Sequence, residues 1–403
     1  MFQHVQPFAG DHIVSLNEAF QRDPRPHKVN LSIGIYCDDN ARLPALDAVH
    51  QAELHLAAAG LPKPYLPMEG ATNFRSAVQT LLFGARHAAL ASGRVVTIQT
   101  VGSSGGLKAG AEFLRRWFPD SGVWISDPSW DNHRSMFESS GLTVLTYPYY
   151  DPAGGGVCFD AMLACLRTLP PRSVVLLHAC CHNPTGADIS TAQWITLIAL
   201  IQERQLLPFL DMAYQGFGDG IESDAFAVRA LARAGVNFLI ANSFSKSMSL
   251  YSERCGALSV VCTDAQQAER VLGQLKFTVR QSYFSPPAHG GQIVAQVLGD
   301  PMLRASWEQD LNAMRDRIRS MRMRLHAALT RRRPDCDFSY LLKQRGMFSY
   351  TKLSPAQVDH LRDVHAVYLV HSGRICISGL NANNVEAVAD AISAVMETEV
   401  ECY

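Results

Sequence analysis

The chain has 403 residues, of which 47% are hydrophobic and 18% charged, so it can bury a substantial core in two or three domains. Its 36 basic and 37 acidic residues give a formal net charge of −1, which favours neither nucleic acid nor an anionic membrane surface as a partner. No run of about 18 apolar residues predicts a membrane span, and the opening MFQHVQPFAGDH lacks the basic start and apolar stretch of a secretory signal.

Short β-type runs alternate with helical patterns between residues 95 and 243. The runs are VVTIQT (95–100), GVWISD (122–127), SVVLLHA (173–179), LPFLD (207–211) and FLIANS (238–243). Continuous apolar strands separated by helices predict a parallel sheet that is covered by helices on both faces. Ligands bind such sheets beyond the carboxyl ends of the strands, so the polar residues that follow these runs are candidates for a site.

Residues 102–106, GSSGG, connect the first run to a helical pattern. We predict a loop followed by a helix. Backbone amides at such a helix start bind phosphate, which makes Ser103 and Ser104 candidates for an anion site. A Gly/Ser turn that holds no ligand is the alternative interpretation.

The cluster HACCH, residues 178–182, has the residue types of a zinc site. It ends the apolar run VVLL, and adjacent residues of a strand point to opposite faces. We therefore predict that His178, Cys180, Cys181 and His182 do not converge on one metal ion. The ten cysteines of the chain have no regular spacing, which predicts reduced thiols in a cytosolic protein instead of a disulfide framework.

Asp211 ends the run LPFLD, and a carboxylate there can pair with the protonated ring nitrogen of pyridoxal phosphate (PLP) and keep the ring an electron sink. Tyr214, three residues later, can reach the 3-oxygen of the ring. A solvated aspartate that caps a helix is the alternative for Asp211.

The segment NSFSKSMSLYSERCG, residues 242–256, has the composition of an anchor for the same cofactor. The amine of Lys246 can form a Schiff base, and a phosphate dianion can be held by Ser243, Ser245 and Arg254. A surface lysine in a polar turn is the alternative interpretation.

From residue 311 the apolar residues keep helical spacing and arginines crowd the other faces. The apolar set is Leu311, Met314, Ile318, Met321 and Leu325, and the basic set is Arg315, Arg317, Arg319, Arg322 and Arg324. A basic stripe can contact nucleic acid. Because acidic residues lie close by and the whole chain is neutral, we predict a solvated helix face.

These segments make the chain resemble the aspartate and aromatic aminotransferases, which are class I PLP enzymes of fold type I. The motifs LSIGIY, SDPSWDNH, HACCHNPTG, DMAYQGF, NSFSK, YFSPPAHGG, GMFSY and SGR recur in the order and spacing of that family over nearly the whole chain. The resemblance implies an α/β large domain with a mostly parallel seven-stranded sheet covered by helices, plus a smaller α/β domain. It places an N-terminal arm at 1–10, the small domain at 11–43 and 314–403, and the large PLP-binding domain at 44–313.

The resemblance also implies how the cofactor is held. Lys246 is the Schiff-base lysine and general base, Asp211 the pyridinium partner, and Tyr214 the donor to the 3-oxygen. The further cofactor residues are Trp130 stacked on the ring, His133 supporting Asp211, Asn183 on the 3-oxygen, and Ser103, Ser104, Ser243, Ser245 and Arg254 around the phosphate. Active sites in the family are shared between two subunits, so a homodimer is expected, with Tyr65 reaching the partner's phosphate.

For the substrate, the resemblance implies that Arg374 clamps the α-carboxylate, since a guanidinium makes two parallel hydrogen bonds to a planar carboxylate. Arg280 is expected to pair with a second carboxylate in the partner's site. Gly34 and Ile35 are implied at the mouth of the site, and Trp130 and Asn183 at the bound substrate.

Several mouth positions are similar to those of the aromatic branch of the family, namely Ile35, Leu43, Ser104 and Ser285. An apolar mouth suits a phenyl ring that must leave water. We therefore predict an aminotransferase that uses phenylalanine, tyrosine and the glutamate/2-oxoglutarate pair. Because Arg280 suits dicarboxylates, aspartate is expected as a further substrate, and an aspartate aminotransferase is the alternative.

Three residues depart from the family pattern: Phe284, Pro64 and Cys255. The first two are expected near the subunit boundary of the site, where they affect the ranking of substrates. Two other classes of protein agree less well with the sequence than an enzyme does. A ligand-sensing regulator of this fold needs a basic DNA-binding extension that the chain lacks, and a catalytically inactive protein of this fold disagrees with intact Lys246, Asp211 and Arg374.

Overall fold

The computed structural model describes residues 1–7 and 10–397. The predicted N-terminal arm includes residues 8 and 9, and the predicted end of the small domain includes 398–403 with Cys402; these lie outside the described residues. The chain divides into two compact units. The larger unit comprises Pro44–Asp316 and Gln344–Gly346, and the smaller unit comprises Met1–Leu43, Arg317–Lys343 and the chain from Met347. The domain boundaries at 43/44 and 313/314 stay predictions.

The strands, in chain order, are β1 (Val29–Asn30), β2 (Val95–Val101), β3 (Val123–Asp127), β4 (Val144–Pro148), β5 (Val174–His178), β6 (Leu207–Met212), β7 (Phe238–Ser243), β8 (Cys255–Val261), β9 (Phe348–Tyr350), β10 (Val367–Tyr368) and β11 (Arg374–Cys376).

The α-helices, in chain order, are α1 (His12–Arg22), α2 (Asp47–Ala59), α3 (Thr72–Phe83), α4 (Ala88–Ala91), α5 (Gly102–Trp117), α6 (Asp131–Glu138), α7 (Phe159–Arg167), α8 (Thr191–Arg204), α9 (Ile221–Asp224), α10 (Phe226–Arg233), α11 (Ala265–Ser282), α12 (Ala288–Gly299), α13 (Pro301–Arg332), α14 (Tyr340–Lys343), α15 (Pro355–His365) and α16 (Val385–Glu397). No helix within residues 1–7 and 10–397 combines the length and apolar character needed to cross a membrane.

The larger unit contains a seven-stranded sheet in the order β2-β8-β7-β6-β5-β3-β4. The contacts β3 to β4, β3 to β5, β5 to β6 and β6 to β7 are parallel, whereas β8 is antiparallel to both β2 and β7. This confirms the predicted α/β fold with a mostly parallel sheet. All five runs predicted as strands form β2, β3, β5, β6 and β7, and the sequence interpretation missed β4 and β8.

The smaller unit is also α/β. It pairs β1 with β10 in parallel and β11 with β9 antiparallel, alongside α1, α15 and α16. Helix α15 begins at a capping box, in which the Ser354 side chain accepts from the Gln357 amide and the Gln357 side chain accepts from the Ser354 amide. This local signal fixes where the helix starts.

The Gly/Ser segment differs from the prediction of a loop. Helix α5 begins at Gly102, so residues 102–106 form its first helical turns. Gly102 has a φ of +65°, a left-handed conformation that glycine adopts at little cost, and this lets the chain turn directly from β2 into the helix. The first amides of α5 therefore stand at the strand end with no intervening loop.

The long helix α13 begins at Pro301, ten residues before the predicted pattern, with Met302 and Leu303 amides capped by the Asp300 carboxylate. The predicted solvated basic face is wrong for Arg322. Its side chain is buried in the smaller unit and donates to Ser349 Oγ and to the Phe348 carbonyl. The two Nη groups of this guanidinium can leave water because they donate to fixed acceptors, a hydroxyl and a carbonyl.

Helix α5 lies against the sheet through a glycine, Gly110. A Cβ at that position would lie 2.5 Å from the ring of Phe209, which is fully buried on β6. We expect Gly110→Ala to destabilise the protein by about 1–3 kcal/mol, because the ring must move within a close-packed core. Denaturant unfolding measures the change.

The matched control for this prediction is Gly273→Ala in α11. Apart from its chain neighbours and the backbone of its own helix, no atom of the described residues lies within 4 Å of a Cβ at Gly273, and its φ is not left-handed. Alanine there should stabilise by roughly 0.5–1 kcal/mol through helix propensity. Equal effects of the two substitutions would contradict the close approach of α5 to Phe209.

Candidate functional site

The predicted cofactor residues of the larger unit lie at one edge of its sheet. Asp211 is near the end of β6, and Lys246 follows the end of β7. Trp130 and Asn183 follow the ends of β3 and β5. Strands β3, β5, β6 and β7 run parallel, and β2 runs in the same direction because β8 is antiparallel to both β2 and β7. The carboxyl ends of these strands therefore meet at one edge, where α/β sheets bind ligands.

Asp211 is the acceptor in a buried chain of hydrogen bonds. The Oδ2 atom lies 3.0 Å from His133 Nε2, and His133 Nδ1 lies 2.9 Å from Ser129 Oγ. Burial alone would raise the pKa of Asp211, but the hydrogen bond from His133, followed by the charges of His133 and Lys246, outweighs it, so the pKa lies below its ordinary value. The carboxylate is thus held ionised inside the protein.

The second oxygen of Asp211, Oδ1, is buried and has no hydrogen-bond partner among the described residues. A buried acceptor of this kind is costly unless a donor meets it. His178 does not serve, because its buried Nε2 also makes no hydrogen bond to any described residue, and burial lowers its pKa to about 3, which keeps the ring neutral. The carboxylate therefore fits a cationic N–H from a bound group, as the ring nitrogen of PLP would provide.

Lys246 and Tyr214 lie beside this carboxylate. The Lys246 Nζ stands 4.8 Å from the centroid of the Tyr214 ring, and the charge of Lys246 contributes to the lowered pKa of Asp211. Trp130 contacts His133 edge-on, with ring centroids 5.2 Å apart at 84°. One amine, one phenol, one carboxylate and one indole thus share the site, which is the set of groups predicted for the ring of the cofactor.

The predicted phosphate residues come together at the start of α5. Ser243 Oγ donates to Ser245 Oγ at 3.1 Å, and Arg254 Nη1 donates to Ser245 Oγ at 3.2 Å. The Gly102 amide donates to the Arg254 carbonyl at 2.8 Å, and a Cβ on Gly102 would lie 2.6 Å from Arg254 Nη2. Ser103 and Ser104 occupy the first turn of α5. Hydroxyls, a guanidinium and helix amides in one place form an anion site.

Tyr65 and Arg280 lie on the surface of the larger unit. The Tyr65 side chain is 86% exposed, and Arg280 is exposed in the last turn of α11. The departure Phe284 contacts Tyr65, with ring centroids 5.6 Å apart, and adopts a left-handed φ of +67°. Within the described residues, the side chains of Asp211 and Arg254 make hydrogen bonds to His133, Ser245 and Tyr251 but not to Tyr65 or Arg280.

Arg374, Gly34 and Ile35 belong to the smaller unit. Arg374 is buried on β11, its guanidinium lies 4.5 Å from the centroid of Phe348, and it donates to the Ser32 carbonyl. A Cβ at Gly34 would lie 3.0 Å from the same Phe348 ring, so Gly34 and Arg374 contact one aromatic side chain. The Ile35 carbonyl accepts from Ser378 Oγ at 2.9 Å. The predicted substrate residues of this unit are thus close neighbours.

The reason given against convergence in HACCH is wrong for its two cysteines. Strand β5 ends at His178, so strand alternation does not govern Cys180 and Cys181. Cys181 has a left-handed φ of +52°, and the two sulfurs and an Asp224 oxygen lie within 4.8 Å of one another. The His182 side chain does not join this cluster, because its Nε2 is hydrogen-bonded to Ser126 Oγ at 2.9 Å. The nine described cysteines are free thiols.

Sequence reasoning missed Ser129 and His178 as neighbours of Asp211 in the site. Ser129 is four residues before His133, a spacing that places two side chains together near a helix start, and this signal was available. The position of His178 beside Asp211 depends on the parallel register of β5 and β6, in which the two residues are opposite each other. That register follows only from the assembled sheet.

Comparison with known proteins gives one family and closely similar members. The model of the family "Aminotransferase class I and II" matches residues 26–392. Tyrosine aminotransferase of Klebsiella pneumoniae is 56% identical over 400 residues, covering 98% of this chain and 100% of that protein. Aspartate aminotransferase of Pseudomonas aeruginosa is 48% identical over 396 residues, covering 98% and 100%. An aromatic-amino-acid aminotransferase of Burkholderia pseudomallei, covalently bound to pyridoxal phosphate, matches with a TM-score of 0.96 at 51% identity, covering 98% of this chain and 99% of that one.

Proposed function

Because the chain belongs to the class I and II aminotransferase family, we propose that it transfers the amino group of phenylalanine and tyrosine to 2-oxoglutarate in a ping-pong cycle with PLP, and that it also accepts aspartate. The observation that carries the substrate choice is the 56% identity to a tyrosine aminotransferase over its whole length, against 48% to an aspartate aminotransferase. Family membership and the PLP-bound Burkholderia enzyme support the cofactor.

Bound PLP supplies an electron sink for the charge that develops at the substrate Cα. In this chain Asp211 would accept the ring N–H through its buried Oδ1, while His133 and Ser129 hold the carboxylate in place. Tyr214 and Asn183 would donate to the 3-oxygen, and Trp130 would cover the ring. An ionised carboxylate at the ring nitrogen keeps that nitrogen protonated, which is why the lowered pKa of Asp211 supports this role.

Lys246 would serve twice. Its amine would be the covalent anchor of PLP, and Nζ, when it is free of the cofactor, would be the base that removes the proton from the substrate Cα. The position of Nζ 4.8 Å from the centroid of the Tyr214 ring, beside the ionised Asp211, supports this assignment. One amine can do both because the two tasks follow each other in time.

The phosphate would be held by Ser103, Ser104, Ser243, Ser245 and Arg254. Gly102 makes room for Arg254, so we expect Gly102→Ala to displace the guanidinium and weaken PLP binding by roughly 10- to 100-fold, the effect of losing one charged hydrogen bond. Titration of the apoprotein with PLP, followed by absorbance, measures the affinity.

Gly93→Ala is the matched control for the Gly102 substitution. Gly93 has a similar φ of +69°, but a Cβ there would meet its nearest atom, Ala265 Cβ, at an ordinary 3.5 Å. Both variants should lose about 1–2 kcal/mol of stability from the left-handed backbone. Equal PLP affinity in the two variants would contradict the assignment of Arg254 as a phosphate-binding residue.

On the substrate side, Arg374 would clamp the α-carboxylate, with Gly34 and Ile35 at the mouth of the site. Contact of Phe348 with both Arg374 and Gly34 supports a common place for these residues. Trp130 and Asn183 would contact the substrate as well as the cofactor. A buried guanidinium with an aromatic ring on its face is well suited to a planar carboxylate.

The proposal includes a homodimer with shared active sites. Tyr65 would reach the phosphate of the partner and act there as a catalytic residue, and Arg280 would reach the partner's substrate. Their exposure, together with the aromatic contact between Tyr65 and Phe284, supports a surface that a second copy covers. A cytoplasmic location is also proposed, and the free state of the nine described cysteines supports it.

An aspartate aminotransferase is the alternative, favoured by Arg280 and by the 48% identical relative. The test is steady-state kinetics with phenylalanine, tyrosine and aspartate on one preparation, each with 2-oxoglutarate. We expect the two aromatic substrates to have the larger kcat/KM. A larger value for aspartate than for both would favour the alternative.

A further inference from the structure

The turn between β5 and Asn183 is held by one carboxylate. The amides of Cys181 and His182 donate to the two oxygens of Asp188, at 2.7 and 2.8 Å. Cys181 is in the left-handed conformation, with φ at +52°, which a residue with a side chain rarely adopts without support. Asn183 is the next residue after the two amides and is buried.

We propose that Asp188 is a positioning residue that holds Asn183 in place by fixing the two amides before it. This inference rests on the proposed role of Asn183 at the 3-oxygen. Bonds from N–H groups to an ionised carboxylate are shorter and about twice as strong as neutral ones, and here both oxygens act on consecutive amides. The turn is therefore set by the charge on Asp188 and not by side-chain packing alone.

The charge on Asp188 changes within a useful pH range. Loss of water around the half-buried carboxyl outweighs the backbone hydrogen bonds and raises the pKa to about 6. The groups that face it are the Asp224 carboxylate, which raises the pKa, and the Arg345 guanidinium, which lowers it. The Tyr149 hydroxyl and the Cys180 thiol are also near, and both remain neutral at pH 6 because their own pKa values are raised.

Two consequences of opposite sign follow from this pKa. Activity that depends on the ionised carboxylate should be complete above about pH 6 and should fall as the pH drops through that value. Stability should move the other way, because the folded-state pKa lies above the unfolded value of 3.8 and the folded state binds this proton more readily. Between about pH 6 and 4, Asp188 therefore adds stability on acidification while activity is lost.

The test compares Asp188→Asn with wild-type holoenzyme across pH 5–9, using kcat/KM for phenylalanine. We expect kcat/KM at pH 8 to fall roughly tenfold or more. We also expect the acid limb, which is the decrease of kcat/KM as the pH drops through about 6, to disappear, because the amide cannot titrate. Asp151→Asn is the matched control, since Asp151 also accepts from two backbone amides, those of Ala153 and Gly154, both at 2.9 Å. It should leave kcat/KM and its pH profile unchanged.

Asn183→Ala completes the test and stays informative if Asp188→Asn does not fold. If Asp188 acts through Asn183, this variant also loses the limb near pH 6, and the two substitutions together cost no more than the larger one alone. An acid limb that persists in both variants would overturn the inference about Asp188 while leaving the function intact. Unchanged kcat/KM in Asn183→Ala would contradict the proposed role of Asn183, and it would also overturn the inference that Asp188 acts through this residue.

Discussion

Lys246→Ala should abolish transamination while the protein still folds and still binds PLP. The substitution removes both the covalent anchor and the base at the substrate Cα, and loss of a positioned general base alone costs about 100- to 10,000-fold in rate. The ring and phosphate contacts around Asp211 and Arg254 remain. Steady-state kinetics with phenylalanine, and absorbance titration with PLP, measure the two effects separately.

Lys276→Ala is the control for Lys246. Lys276 is a half-exposed lysine of the same unit, paired with Glu69 at 3.3 Å, and its removal should leave the rate within a few-fold of wild type. Borohydride reduction of the wild-type holoenzyme should fix the cofactor on Lys246, as read by peptide mass. A label on another lysine, or full activity of Lys246→Ala, would defeat the assignment.

Arg374→Ala and Arg280→Ala should separate two carboxylate clamps. Loss of one partner of a charged hydrogen-bonded pair costs about 2–5 kcal/mol, or roughly 30-fold to several thousand-fold in kcat/KM. Every substrate has an α-carboxylate, so Arg374→Ala should depress phenylalanine, tyrosine and aspartate together. Only dicarboxylates have the second group, so Arg280→Ala should depress aspartate and 2-oxoglutarate and leave phenylalanine within a few-fold.

Two further variants sharpen this comparison. Arg374→Lys keeps the positive charge but loses the two parallel hydrogen bonds, so it should recover only part of the activity. Arg270→Ala removes another exposed arginine from α11 and should change no substrate by more than a few-fold. Equal losses for phenylalanine and aspartate in Arg280→Ala would contradict the division of roles.

The strands that carry the site were predictable because each is a continuous apolar run that ends in polar residues. LPFLD and FLIANS form β6 and β7, with Asp211 and Lys246 at the expected edge. Strand β8 was missed, although its sequence CGALSVV is mostly apolar. The direction of β8 could also have been predicted. Only 11 residues separate Ser243 from Cys255, which is fewer than the crossover between two parallel strands needs. The strand that follows β7 must therefore be antiparallel to it.

The details that tune the site were not predictable from residue types. Burial of Arg322 depends on the acceptors that β9 presents to it, and the neutral state of His178 depends on how completely its neighbours exclude water. Asp188 has no motif of its own, because its effect comes from two backbone amides that turn toward it. Such features arise from backbone geometry, which a sequence pattern does not encode residue by residue.

The measurement that tests the proposed chemistry most directly is a single turnover of purified holoenzyme with phenylalanine in the absence of any oxo-acid acceptor. A ping-pong aminotransferase should release one phenylpyruvate per active site and then stop, because the amino group stays on the enzyme. Addition of 2-oxoglutarate should then release one glutamate per site and restart the cycle. Absence of phenylpyruvate, or its continued release without an acceptor, would contradict an aromatic aminotransferase of this family.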